Sequence, residues 1–164
     1  YRKLLKNISY LKFRYILSNH QESFSCFSYN SFMEKASQFI HAWHENFLHQ
    51  NTDFLDTILH DEVVFFSPVV FKGIHGKSMT KLYLTAAGES FNMEKFAYVR
   101  EVHEGLHSVL EFETFIDDIA VNGVDIIEWD EKGKIINFKV MVRPFKAIEK
   151  VREKMIESLE KISN

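Results

Sequence analysis

The chain is short of the features that mark several common protein classes. It has one cysteine, Cys26, in 164 residues, which excludes an intrachain disulfide framework and fits a reducing compartment. No apolar run approaches the roughly 20 residues that a membrane-spanning helix needs. Basic residues are not in excess: Lys and Arg number 20 against 23 Asp and Glu, a net charge of −3, so no general attraction to nucleic acid is expected. There are only two prolines, Pro68 and Pro144, and each falls where a strand is restricted or stopped. No repeat, low-complexity tract or interdomain linker appears. The expectation is a soluble, cytoplasmic protein with neither a membrane nor a nucleic-acid partner.

What is plentiful is ring surface. Aromatics make up 15% of the chain, 16 of them Phe, and 46% of residues are hydrophobic. That is enough for one globular domain with a thick core, or for an apolar ligand cavity. Charge is unevenly spread. Residues 1–32 hold five basic residues (Arg2, Lys3, Lys6, Lys12, Arg14) against Glu22, leaving 15 basic and 22 acidic residues beyond them. This Ser-rich basic segment reads as a transit-like presequence or as sequence upstream of a start at Met33, the reading favoured here. The expected organisation is a basic N-terminal extension, 1–32, outside the fold and a single domain over 33–164. Ser31 to Glu34 also spells an S-x-x-E capping box for the helix that follows.

Residues 34–49 place Ala36, Ile40, Trp43 and Phe47 at helical spacing. A turn at Asn51–Asp53 leads to a short helix with Phe54, Leu55, Ile58 and Leu59, ended by His60–Asp61. Glu62 to Val70 reads as a strand. Residues 78–91 read as a helix with Ser78 as N-cap and Met79, Leu82, Tyr83 and Ala86 on its inner face. Four β segments follow, at 95–103, 107–116, 119–129 and 135–143. Pro144 then opens a closing helix whose stripe is Phe145, Ile148, Arg152, Met155, Leu159 and Ile162. Long antiparallel pairs with helices gathered on one side make an α+β fold.

Asp125 is the residue that invites a function. If Asp117–Asp118 is a two-residue loop, cross-strand partners sum to 235, so Asp125 faces Leu110 and Gly123 faces Phe112. Leu110, Phe112, Thr114, Asp125 and Ile127 then share the inner face, while Glu111, Glu113 and Glu128 fall outside. A carboxyl among apolar residues is neutralised, hydrogen-bonded or used. Either it donates to a ligand carbonyl with a raised pKa, or it is bonded within the fold, for example to the Trp43 indole. Tyr98 lies on a strand whose register stays open, because the loop at Gly105 could hold two to four residues. The phenol of Tyr83 reads as core packing. Phe138, Val140 and Val142 point inward and Lys139 and Arg143 outward. His41, His44, His49, His103 and His107 form no HExxH or comparable motif, so no metal and no cofactor is expected.

The Trp43 helix, Asp61 to Val69, the Gly76 helix and above all VDIIEWDEKGKI (Val124 to Ile135) resemble the NTF2-like superfamily, in its SnoaL-like and ketosteroid-isomerase-like branches. The resemblance runs from Met33 to Val142. It implies a cystatin-like cone, a curved antiparallel sheet wrapped around helices to leave a blind apolar pocket, here with an extra C-terminal helix. The outer sheet face of such folds often makes a homodimer. Ketosteroid isomerases pair a carboxylate base with a Tyr and a protonated Asp, a division of roles that is a standard worked example. Carried over, the Asp falls on Asp125, the base on Ser67 and the Tyr on Trp43. Neither serine nor indole shuttles a proton near neutral pH, and losing the base costs about 10²–10⁴-fold, so steroid-isomerase chemistry is not expected. The expectation is a pocket for an apolar or aromatic small molecule, lined by Trp43, Phe47, Phe65, Ser67 and Tyr83, and on the sheet by Leu110, Phe112, Asp125, Ile127 and Phe138. Asp125 is the candidate catalytic residue for isomerase, cyclase or dehydratase chemistry. The alternative is a non-enzymatic dimerisation or partner-binding module with a filled cone. A cavity of about 300 Å³ or more favours the first reading.

Overall fold

The computed structural model describes residues 35–163, except for the side chains of Leu159 and residues 161–163. The expected extension over 1–32, the start at Met33, the Ser31–Glu34 capping box and the outer members of the closing stripe (Leu159, Ile162) lie outside what is described. Helix α1 spans Lys35–Leu48 and buries Ala36, Ile40 and Trp43. A single helical turn, α2 (Phe54–Ile58), hands the chain to strand β1 (Leu59–Phe66). This strand begins and ends earlier than expected: His60 and Asp61 lie within it, and Ser67 and Pro68 follow it. The reason is the two-residue strand β2 (Ile74–His75), which pairs with Val64 and Phe65 and closes the 67–73 excursion as a loop.

Helix α3 (Lys77–Ser90) starts at Gly76, whose φ of +91° only glycine adopts without strain. Ser78 is therefore inside the helix rather than its cap. The face it buries is also turned: Thr80, Leu84 and Ala86 are buried, whereas Met79 is exposed. After a 3₁₀ turn at Met93–Lys95 come β3 (Ala97–Glu104), β4 (His107–Ile116), β5 (Ile119–Trp129) and β6 (Ile135–Arg143). Pro144 lies just ahead of α4 (Phe145–Ser163), its carbonyl accepting from Ala147 and Ile148. Helix α4 buries Ala147, Val151, Met155 and Ser158; Phe145 and Arg152 are exposed, so the apolar stripe is rotated from the expected one.

The sheet order is β2-β1-β6-β5-β4-β3. It is mixed rather than wholly antiparallel, because β1 runs parallel to β6. The hairpin register is the expected one: Leu110 faces Asp125 and Phe112 faces Gly123. At the next reversal Gly133, at φ +79°, completes the Asp130–Gly133 turn, and the Asp130 carboxylate accepts from the Lys132 and Lys134 amides. Strand β3 carries a bulge, since Val99 has no partner between the pairs Tyr98–Phe112 and Arg100–Glu111. The buried side chains form two clusters. One gathers Trp43, Phe65, Leu110, Trp129 and Phe138 under α1 and α2, and the other gathers Phe96, Phe112, Ile116, Val151 and Met155 under α4. Among the described residues, no helix is long and apolar enough to cross a membrane.

Candidate functional site

Asp125 sits on the inner face of β5, between Leu110 of β4 and Val140 of β6. It is 5% exposed. Its carboxyl accepts one hydrogen bond among the described residues, from the Tyr98 hydroxyl to Oδ2 at 3.1 Å. Tyr98 in turn accepts from the Trp43 indole at 2.9 Å. Indole N–H only donates, so the phenol proton is committed to Asp125 and the chain has a fixed direction. Asp125 is thus joined to Trp43 through an intervening hydroxyl rather than directly. Burial pushes the Asp125 pKa up to about 7, and the Tyr98 hydrogen bond partly offsets that rise. The Tyr98 phenol is pushed well above its usual value, by burial first and by the neighbouring carboxylate second.

Asp125 opens onto a cavity at the seam between the two core clusters. Trp43, Phe47, Phe65, Ser67, Tyr83, Phe112 and Phe138 line it, all of them expected there. Leu110 and Ile127 do not; both are fully buried behind the wall. The wall is completed by Leu84 and Ala87 of α3, Phe91 and Phe96, and by Val151 and Met155 of α4. Phe96 stacks on Phe112 at 5.2 Å, and Phe47 stacks on Trp43 at 5.1 Å. Ser67 Oγ accepts from the Val69 amide at 3.2 Å, so it caps its own turn. Asp125 is the one carboxyl in this lining. The free volume is about 40 Å³, room for about three waters. That is far below the several hundred Å³ expected of a ligand pocket.

Tyr98 is the functional candidate that strand counting missed. The Val99 bulge turns it inward, and a uniform register from the Gly105 turn would have turned it out. The contributions of α4 were missed because its stripe is rotated. The histidines stand apart from the cavity. His44 packs on the Tyr98 ring at 5.0 Å, and its Nε2 lies 3.2 Å from Glu101 Oε1 without forming a hydrogen bond. Burial lowers its pKa, and Glu101 opposes that shift. No group of three or more His, Cys, Asp or Glu side chains that could hold a metal occurs among the described residues.

The backbone has clear relatives. A steroid delta-isomerase from Pseudomonas aeruginosa superposes with a TM-score of 0.73 at 29% identity, over 77% of this chain and 93% of that one. An uncharacterized protein with a cystatin-like fold from Silicibacter pomeroyi gives 0.68 at 28% identity, over 73% and 83%. An NTF2-like protein of unknown function from Mesorhizobium loti gives 0.60 at 14%, over 68% and 93%. The chain belongs to the NTF2-like superfamily. No family model matches the sequence, and no curated protein does. Within this NTF2-like fold, the cavity holds serine and indole at Ser67 and Trp43, where the resemblance would set a base and a phenol. The one phenol bonded to Asp125 stands on β3 instead, outside the cavity lining.

Proposed function

We propose that this NTF2-like protein binds an apolar or aromatic small molecule against Asp125, which acts as a neutral acid donating a hydrogen bond or a proton. One observation carries the reading: a carboxyl with a pKa of about 7 stands at the wall of an aromatic cavity with a single protein partner. Tyr98 holds Oδ2 as a donor, so Oδ1 is the oxygen to carry the proton. A carbonyl placed there gains a hydrogen bond, and a developing oxyanion a charge-assisted one, in a site walled by rings. With no second carboxyl in the lining, a reaction would be limited to a proton-transfer step of isomerase, cyclase or dehydratase type. Any occupant larger than water requires the ring wall to part. The test is native mass spectrometry of protein purified from its source. We expect a retained small molecule that Asp125→Asn loses; no retained mass, together with unchanged behaviour of the variant, overturns the reading.

The narrow cavity favours a second reading, a non-enzymatic module that assembles through its sheet. Val102, Val109 and Ile126 form an exposed apolar cross-strand row on the outer face that ends at Lys139, with Met141 one pair along β6 on the same face, the four apolar residues each between 37% and 58% exposed. A homodimer would cover this row. Light scattering after size exclusion should give twice the chain mass, and Ile126→Glu should return it to a single chain. A wild-type monomer at high concentration rules the module out.

A further inference from the structure

A second cleft, apart from the Asp125 cavity, opens on the helical side between α1, α2 and α3. Its volume is about 130 Å³, roughly three times that of the cavity at Asp125. Aromatic rings of Trp43, Phe47 and Phe54 make its floor, and Glu89, Gly88 and the amides after α1 make its rim. The C-terminal ends of two helices, α1 and α3, meet here. The Asn46 and Phe47 carbonyls of α1 accept from the Asn51 and Gln50 amides and the Ala87 carbonyl of α3 accepts from Phe91, so what each end turns to the cleft is the negative end of its dipole. Neither has a basic residue in its last turn to offset this. The lining holds no lysine or arginine, and Glu89 has no partner among the described residues. Lys81, two turns back on α3, is engaged by Asp56 at 2.6 Å.

The rim is also held in place. Asn46 donates to the Ala42 carbonyl at 2.9 Å, and Asn51 donates to Asn46 Oδ1 at 2.8 Å. Asn51 Oδ1 is left as an acceptor. Gln50, at φ +54°, turns the chain there, with its amide on the Phe47 carbonyl. Acceptors, helix C-termini and one carboxylate over ring faces favour one kind of occupant, a cation with an apolar body.

We propose that the cleft between the C-terminal ends of α1 and α3 binds a small aromatic molecule carrying a protonated amine, the ring on Phe47 and Phe54 and the ammonium towards Glu89 and Asn51. This site shares Trp43, Phe47 and Leu84 with the Asp125 cavity but does not include Asp125 itself. The test is an amide NMR titration at pH 7 with three probes of one size: phenethylamine, 2-phenylethanol and phenylacetate. Phenethylamine should shift Asn51, Thr85, Gly88 and Glu89 and bind about fivefold tighter than the alcohol, with phenylacetate weakest. Glu89→Gln should bring the amine down to the alcohol, and Asp125→Asn should leave all three unchanged. A Cβ at Gly88 meets nothing within 4 Å, so Gly88→Leu should obstruct the mouth without a clash and abolish the shifts. Equal binding of the three probes, an indifferent Glu89→Gln, or shifts centred on Phe65 and Val142 overturns the proposal.

Discussion

Two hydrogen-bond chains run along the inner face of the sheet, and both begin at the N–H of a buried tryptophan. From Trp129 the chain passes to Ser108 at 3.0 Å, to His103 at 3.0 Å and to Glu101 at 3.2 Å. From Trp43 it passes to Tyr98 and stops at Asp125. The first ends at a carboxylate whose side chain is 28% exposed, and the second ends in an aromatic cavity. Indole N–H donates at the head of both. The surroundings of the last oxygen differ too, and burial among rings is what makes the Asp125 carboxyl a poised acid. His44 stands between them, its ring on Tyr98 and its Nε2 near Glu101.

The largest effect should come from neutralising the buried end. The folded pKa of Asp125, about 7, lies above its ordinary 3.8. The native state therefore holds an extra proton between those values, so the contribution of Asp125 to stability is most favourable below pH 4 and is lost as pH rises to 7. Asp125→Asn should gain of the order of 4 kcal/mol at pH 8 and close to nothing at pH 4. Glu101→Gln should change stability by under about 1 kcal/mol at either pH. Urea melts at the two pH values check this, and parallel pH slopes for wild type and Asp125→Asn would erase the contrast.

Removing the middle hydroxyls should have the next largest effect. Tyr98→Phe and Ser108→Ala each strand a buried indole N–H, at about 1–3 kcal/mol apiece by the same melts. They should part company by NMR titration of the Asp125 carboxyl. The phenol holds that pKa down, so Tyr98→Phe moves the midpoint above 7 and Ser108→Ala leaves it in place. The smallest effect concerns salt. Taking salt from about 0.1 to 1 M should weaken the contribution of Glu101 by a few tenths of a kcal/mol and leave the Asp125 midpoint unmoved, since buried charges are little screened. A salt-dependent Asp125 midpoint would mean that the cavity is wet.

How far the sequence can be read depends on where alternation is uninterrupted. Asp117–Asp118 and Asp130–Gly133 are unambiguous turns, so β4, β5 and β6 could be bounded to the residue and Asp125 turned inward. The period-two pattern of these strands fixes the inner face of Phe112, Asp125 and Phe138, which reach the cavity, but not the depth of Leu110 and Ile127 on the same face, which do not. Counting fails at Tyr98. From the Gly105 turn, partners sum to 211 as far as Arg100 and Glu111, which would set Tyr98 opposite the outward Glu113. The bulge changes the sum to 210 and sets it opposite Phe112. Helix faces failed differently. In α4, stripes starting at Phe145 and at Ala147 both have helical period, and only the sheet decides between them. Cavity size was also beyond reach, because residue types along a wall do not say how tightly Phe91, Phe96 and Met155 fill it.

Val99 is the extra residue that the bulge on β3 takes up, and it touches neither Trp43 nor Asp125 through any hydrogen bond. Deleting its single codon would leave Tyr98 opposite Phe112, whereas closing the bulge by a one-residue slip would set Tyr98 opposite Glu113 and exchange the phenol for its neighbour on the opposite face. The carboxyl would then be left in the cavity with no donor. A slip of one residue at a sheet edge can therefore remove the acid's support with every residue of the cavity itself unchanged.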